Sequence, residues 1–150
     1  MEQIFNEWDS YAQRKELRPR RIDLAAIESA SALKIATITG IRRCGKTSLL
    51  LLLRQRLSKE GRHAAYVNME DGRLKGRADA LDNALKWFGD SGYLLLDEIT
   101  AAEGWESWLA RNHEMLKGSL RIIVSSSRRG LSKPTKPLRG RIFAGAAPQA

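Results

Sequence analysis

The chain holds a single cysteine, Cys44, in 150 residues. An internal disulfide framework is therefore excluded. Histidine is nearly as scarce, and neither His63 nor His113 has a cysteine or second histidine at metal-ligand spacing. A surface position therefore suits His63 better than a ligand role. Long apolar runs are missing as well. The five leucines Leu49–Leu53 are far too few to span a bilayer, so no membrane partner is expected. The opening Met1-Glu2-Gln3-Ile4 lacks the basic-then-apolar order of a secretory leader, and a cytoplasmic protein is the expectation. Aromatic residues make up 7% of the chain. None falls inside the two basic segments described below, which excludes a single-strand stacking platform there.

Acidic residues are in the minority, 17 against 26 Lys and Arg, for a net charge of +9. The excess is concentrated. Residues 14–21 carry five basic groups and one acid, and residues 128–141 carry six basic groups and no acid. Together they outweigh the net charge, so the rest of the chain is close to neutral. Such segments suit nucleic acid, or a nucleotide held by a neighbouring subunit. A pair of solvated flexible segments is the plain alternative.

The chain is organised around Gly40-Ile41-Arg42-Arg43-Cys44-Gly45-Lys46-Thr47. The spacing is G-x-x-x-x-G-K-T, a phosphate-cradling P-loop. Gly40 and Gly45 permit backbone conformations that a side chain would block. Successive N–H groups can then curl round an anion. Lys46 would reach the β- and γ-phosphates, and the Thr47 hydroxyl would bind Mg²⁺. The context fits. Leu33–Ile38 reads as a buried strand entering the loop, and Ser48–Leu57 reads as a helix leaving it. Its N-terminal dipole would face the phosphates. Residues 40–48, Ser48 included, are the candidate nucleotide contacts.

A second motif follows about fifty residues later. Tyr93-Leu94-Leu95-Leu96 reads as a strand buried on both faces, ending in Asp97-Glu98. Carboxylates there sit where open α/β sheets bind ligands. Asp97 would hold a Mg²⁺ water. Glu98 would polarise the attacking water as general base.

The remaining pattern supplies the frame. Ile4–Leu17 reads as an amphipathic lead-in helix, with Trp8 in a packing role, and Asp23 as the cap of a helix over Leu24–Ala30. His63–Asn68 reads as a strand, with His63 at the surface. Met69–Gly72 is a turn. Arg77–Phe88 has helical period, with Trp87 at the edge of its apolar face. Gly104 opens a helix to about Leu116, with Trp105 and Trp108 on one face and His113 exposed. Leu120–Val124 is a strand ending in Ser125-Ser126-Ser127, hydroxyls that suit γ-phosphate sensing or a plain serine turn. Residues 130–137 read as loop or short helix, and Ile142–Ala144 as a last short strand.

Taken together, these residues resemble the AAA-type ATPases of bacteria and archaea whose P-loop carries an Arg-Arg pair. The resemblance rests on Gly40–Thr47, on Leu95-Leu96-Asp97-Glu98-Ile99 followed by Gly104-Trp105-Glu106, on Ile122-Ile123-Val124 with the serines, and on Leu138-Arg139-Gly140-Arg141. It covers roughly residues 20–145. It implies an α/β three-layer sandwich of the P-loop NTPase kind, with a parallel five-stranded sheet ordered 5-1-4-3-2 and flanking helices. Residues 1–20 would be a helical lead-in and 21–150 the nucleotide-binding core. It implies Ser127 beside the γ-phosphate as sensor. It also implies Arg139 or Arg141 as an arginine finger for a neighbouring subunit in a homo-oligomer; local pairing to a carboxylate is the other reading of those arginines. Three positions depart from the family pattern: Thr100 in place of glutamine, Ser126 in place of glycine, and Cys44 in place of a common valine. A fourth departure is expected: the chain stops short of the family's helical lid and C-terminal domain.

The expected activity is Mg²⁺-dependent ATP hydrolysis at the β–γ bond. A nucleotide switch without turnover and a basic nucleic-acid binder are the alternatives from other classes. A small-molecule kinase ranks below them, because no acceptor site is visible.

Overall fold

Stretches rich in leucine, isoleucine and valine form strands here because both faces of the sheet are covered, which rewards continuous rather than alternating apolar sequence. The computed structural model describes residues 1–17, 24–32, 34–39, 45–127 and 142–145. In chain order the elements are α1 (Glu2–Arg14), α2 (Leu24–Ala30), β1 (Ile35–Thr39), α3 (Lys46–Lys59), β2 (Ala64–Asn68), α4 (Ala80–Phe88), β3 (Gly92–Asp97), a single 3₁₀ turn (Ile99–Ala101), α5 (Trp105–Leu116), β4 (Leu120–Ser126) and β5 (Ile142–Gly145). The sheet order is β2-β3-β4-β1-β5, and every pairing is parallel. This is the expected order counted from the other edge, with β4 inserted between β1 and β3.

The core has two layers, one on each face of the sheet. On one face Ile35, Val67, Leu94, Leu96, Ile122 and Val124 pack with Leu81 and Ala84 of α4 and with Trp108 and Leu109 of α5. On the other, Ala36, Ile38, Tyr66, Leu95 and Ile123 pack with the leucines of α3 and Ile27 of α2. The three-layer sandwich follows. No helix among the described residues is long and apolar enough to cross a membrane.

Several boundaries differ from the sequence reading, each for a local reason. The helix after the P-loop begins at Lys46 rather than Ser48, because Gly45 takes the left-handed conformation (φ 95°) and caps it. Lys46 and Thr47 are therefore helical. Its far end is a Schellman motif, with Gly61 at φ 75°. There the Gly61 N–H donates to Ser58 O, and the Arg62 N–H to Leu57 O. The fourth helix starts at Ala80 rather than Arg77. Before it, the Leu74 and Lys75 N–H groups both donate to Asp71 O in a turn. The lead-in helix stops at Arg14 rather than Leu17, where the Gln55 side chain donates to Ala12 O and Lys15 O. β4 extends through Ser126, two residues beyond Val124. His63 is exposed and stacks on Phe88 at 4.2 Å, whereas His113 is half-buried rather than exposed. Asp23 and residues 130–137 lie outside the described residues.

β2 is an edge strand, and α1 closes that edge. Phe5 of α1 belongs to one core layer and Ala12 to the other, so the helix crosses from face to face. The Asp9 carboxylate accepts the outward N–H of Tyr66 at 3.0 Å. It also takes Arg54 in a two-point pair, at 2.8 and 3.0 Å. Trp8 donates its ring N–H to Asp71 at 2.9 Å and packs edge-on against Tyr66. An exposed strand edge invites further pairing; a helix carrying a carboxylate fills that role here.

Arg54 is 7% exposed, so removing its partner strands a buried charge. Asp9→Ala is expected to lower stability by about 2–3 kcal/mol in urea unfolding, discounted for the partial exposure of Asp9. Asp82→Ala, which removes an exposed ion pair with Arg111, should be indistinguishable from the parent. Hydrogen bonds from Arg73, chiefly its side chain, hold the Asp71 carboxyl down to about 2 from its ordinary 3.8, with Trp8 adding and burial opposing. A depressed acid stabilises the fold fully above its unfolded value and loses that contribution as pH falls toward 2. Acid titration of Asp71→Asn should therefore lack part of the stability loss that the parent shows between those values.

Candidate functional site at the C-terminal edge of the sheet

The carboxyl ends of β1, β4 and β3 lie side by side, and α3 begins next to them. In register, Ile38 pairs with Ser125 and Thr39 with Ser126, while Leu96 pairs with Val124. Inserting β4 between β1 and β3 thus sets the serines between the P-loop strand and Asp97-Glu98. Strand alternation decides which way each side chain turns. Tyr93 and Leu95 face α3, so Asp97 does too. Leu94 and Leu96 face the α4–α5 layer.

Asp97 is fully buried and is satisfied by hydroxyls. Thr47 donates to Oδ2 at 2.8 Å. Tyr66 donates to the same oxygen at 2.6 Å. Ser125 donates to Oδ1. Burial, and next the Asp97 charge, push the Tyr66 phenol far above its usual range, so it stays a donor. Glu98 turns away. It has φ 51°, a left-handed conformation uncommon for a residue with a side chain. Its N–H donates to Ser125 Oγ at 3.0 Å. Its carboxylate accepts from the Ser127 hydroxyl at 3.0 Å and from the Ser127 N–H at 3.2 Å. The two neighbouring carboxylates are therefore separated: Asp97 is sealed against α3, and Glu98 is half-buried on Ser127.

Lys46 is only 4% exposed and sits with Thr47 in the first turn of α3, where the helix dipole is positive. The site is thus a helix N-terminus, a lysine, a hydroxyl and a carboxylate. Hard oxygen donors of this kind suit Mg²⁺ rather than a softer metal. Among the described residues no group of three or more His, Cys, Asp or Glu could hold a metal ion by itself.

The structure brings Lys46, Thr47, Asp97, Glu98 and Ser127 to one edge. Gly45 and Ser48 bracket the same turn. Gly40, Ile41, Arg42, Arg43, Cys44, Arg139 and Arg141 lie outside the described residues, as does the whole segment 128–141. In the first basic segment, Arg14 donates to Ser10 O and Lys15 lies over the Tyr11 ring; residues 18–21 are outside. Sequence reasoning missed Tyr66 and gave Ser125 no role of its own. A signal existed for Tyr66: a buried tyrosine needs a partner for its hydroxyl, and its strand neighbours the one that ends in Asp97.

A family model described as an AAA domain matches residues 32–144. No curated protein matches the chain. Among solved structures, the chain is similar to a DNA replication initiation factor (TM-score 0.55, 21% identity, covering 83% of this chain and 43% of that one). It is similar to AMPPCP-bound DnaA from Aquifex aeolicus (TM-score 0.52, 19% identity, 83% and 43%). A DNA polymerase III gamma subunit-related protein from Thermotoga maritima also matches (TM-score 0.53, 11% identity, 85% and 45%). Identities this low concern the fold. The chain spans less than half the length of each of these structures.

Ser125 serves both Asp97 and the Glu98 backbone. Ser125→Ala should cost about 2 kcal/mol in urea unfolding, since it leaves a buried acceptor and a backbone donor short of a partner. Ser127→Ala, which touches only the half-buried Glu98 carboxylate, should cost clearly less.

Proposed function

The chain belongs to the AAA domain family of nucleotide-binding ATPases, and from that premise we propose that it binds ATP with Mg²⁺ and hydrolyses the β–γ bond. The observation that carries the reading is the 2.8 Å hydrogen bond from Thr47 to Asp97, across 50 residues of sequence. It sets the P-loop hydroxyl against the strand carboxylate beside Lys46.

Main-chain N–H groups of residues 41–46 would cradle the phosphates, and Lys46 would neutralise charge on the β- and γ-phosphates. Ser48, next in the helix, would add a hydroxyl at the same end. Thr47 and Asp97 would hold Mg²⁺, which when bound supplies charge neutralisation across the phosphate oxygens. Thr47 can offer an oxygen lone pair to the ion and still donate its proton to Asp97. Glu98 would take a proton from the attacking water. Ser127, bonded to Glu98 by both hydroxyl and N–H, would orient that base and stand near the γ-phosphate as sensor. Arg139 or Arg141 would act on the nucleotide of a second copy in a homo-oligomer, and the basic segments 14–21 and 128–141 would meet nucleic acid. A cytoplasmic setting belongs to the same proposal.

One observation favours a second reading, a nucleotide switch without turnover. The Glu98 carboxylate is engaged by the hydroxyl and N–H of Ser127, contacts it would have to share with an attacking water. Phosphate release from purified protein, with and without DNA, separates the two. Lys46→Ala should abolish ATP binding. Glu98→Gln should bind ATP normally and release phosphate at least about 10²-fold more slowly. Binding without release in the parent, under every condition, would leave the switch.

A further inference from the structure

The Asp97 carboxylate offers about four acceptor directions. Three are filled by hydroxyls. Thr47 and Tyr66 share Oδ2, and Ser125 takes one side of Oδ1. Among the hydrogen bonds seen for the described residues, Oδ1 keeps one further direction beside Ser125. Tyr66 itself has no freedom to wander. It is fully buried in the β2 strand. Its N–H is held by Asp9 and its ring by Trp8. Its hydroxyl therefore reaches Asp97 from a fixed point on a neighbouring strand. Trp8 and Asp9 belong to the lead-in helix, so that helix supports the site from the β2 edge of the sheet.

We propose that Tyr66 is a positioning residue for Asp97, locking the carboxylate so that the further acceptor direction on Oδ1 serves the water shell of a divalent ion next to Thr47. The proposal rests on the Mg²⁺-ATP reading above. Without the Tyr66 hydroxyl, Oδ2 gains a vacant acceptor direction, and the carboxylate can rotate or recruit water there. Removing a group that orients a metal-holding residue typically weakens metal affinity about 10–100-fold.

The test is Tyr66→Phe, which keeps the ring and its packing. Thermal unfolding is followed in ATP with EDTA, and then in ATP with increasing Mg²⁺. The expected result is ATP stabilisation in EDTA equal to the parent's, with half-maximal Mg²⁺-dependent stabilisation displaced about 10–100-fold upward. An unchanged Mg²⁺ midpoint overturns the proposal and leaves the metal reading standing. A parent protein with no Mg²⁺-dependent shift overturns both. A second measurement needs no change at Tyr66. The chain is labelled with 3-fluorotyrosine, and its resonances are assigned through Tyr11→Phe and Tyr93→Phe. The Tyr66 signal should move when Mg²⁺ is added to the ATP complex; a signal indifferent to Mg²⁺ overturns the proposal.

Discussion

A hydroxyl on the first turn of a helix meets a carboxylate at the end of a strand, and much of the site depends on that meeting. Thr47 and Asp97 are joined at 2.8 Å only because α3 lies across the sheet face that Asp97 points toward. The contact is polar and fully enclosed on the Asp97 side, so it cannot be loose. A buried carboxylate without donors would be costly. Three hydroxyls from three elements meet that need, and in doing so they tie α3, β2 and β4 to β3. The interaction is thus both a site and a seam.

The edge of the sheet follows a similar logic. Asp9 serves the Tyr66 backbone while pairing with the buried Arg54, and Trp8 bridges to Asp71. A helix that reads in the sequence as a lead-in is therefore wired to the strand whose tyrosine contacts Asp97. Packing at the rim and chemistry at the carboxyl edge share one residue. A perturbation of α1 has a short physical route to the site, through the backbone of β2 and the Tyr66 side chain.

The motif residues were legible because their chemistry is local. Gly45, Lys46 and Thr47 are neighbours in sequence, and the strand ending in Asp97-Glu98 announces itself by three leucines. The sheet order came from the family resemblance, and the structure agrees with it. The serines were less legible. Their identity was plain, but which one served which carboxylate depended on register. Ser125 turned out to serve Asp97 and the Glu98 backbone, whereas Ser127 serves the Glu98 side chain. Thr100 and Ser126, two departures from the family pattern, bond to each other at 2.9 Å. Thr100, in the 3₁₀ turn after β3, is shorter than a glutamine and sits beside the hydroxyl gained at Ser126 on the end of β4. No reading of either position alone could have paired them.

The amino-acid order by itself determined the strand before residue 40 and the helix after Gly45, the buried strand with two carboxylates at its end, and the concentration of positive charge, because each is written in adjacent residues or in a short period. Tertiary structure alone decided that Tyr66 reaches Asp97, that Asp9 caps the outer strand, and that Asp97 and Glu98 turn to different partners. Those outcomes depend on strand pairing, on which face a side chain takes and on one left-handed residue, and none of these is a property of neighbours in the chain.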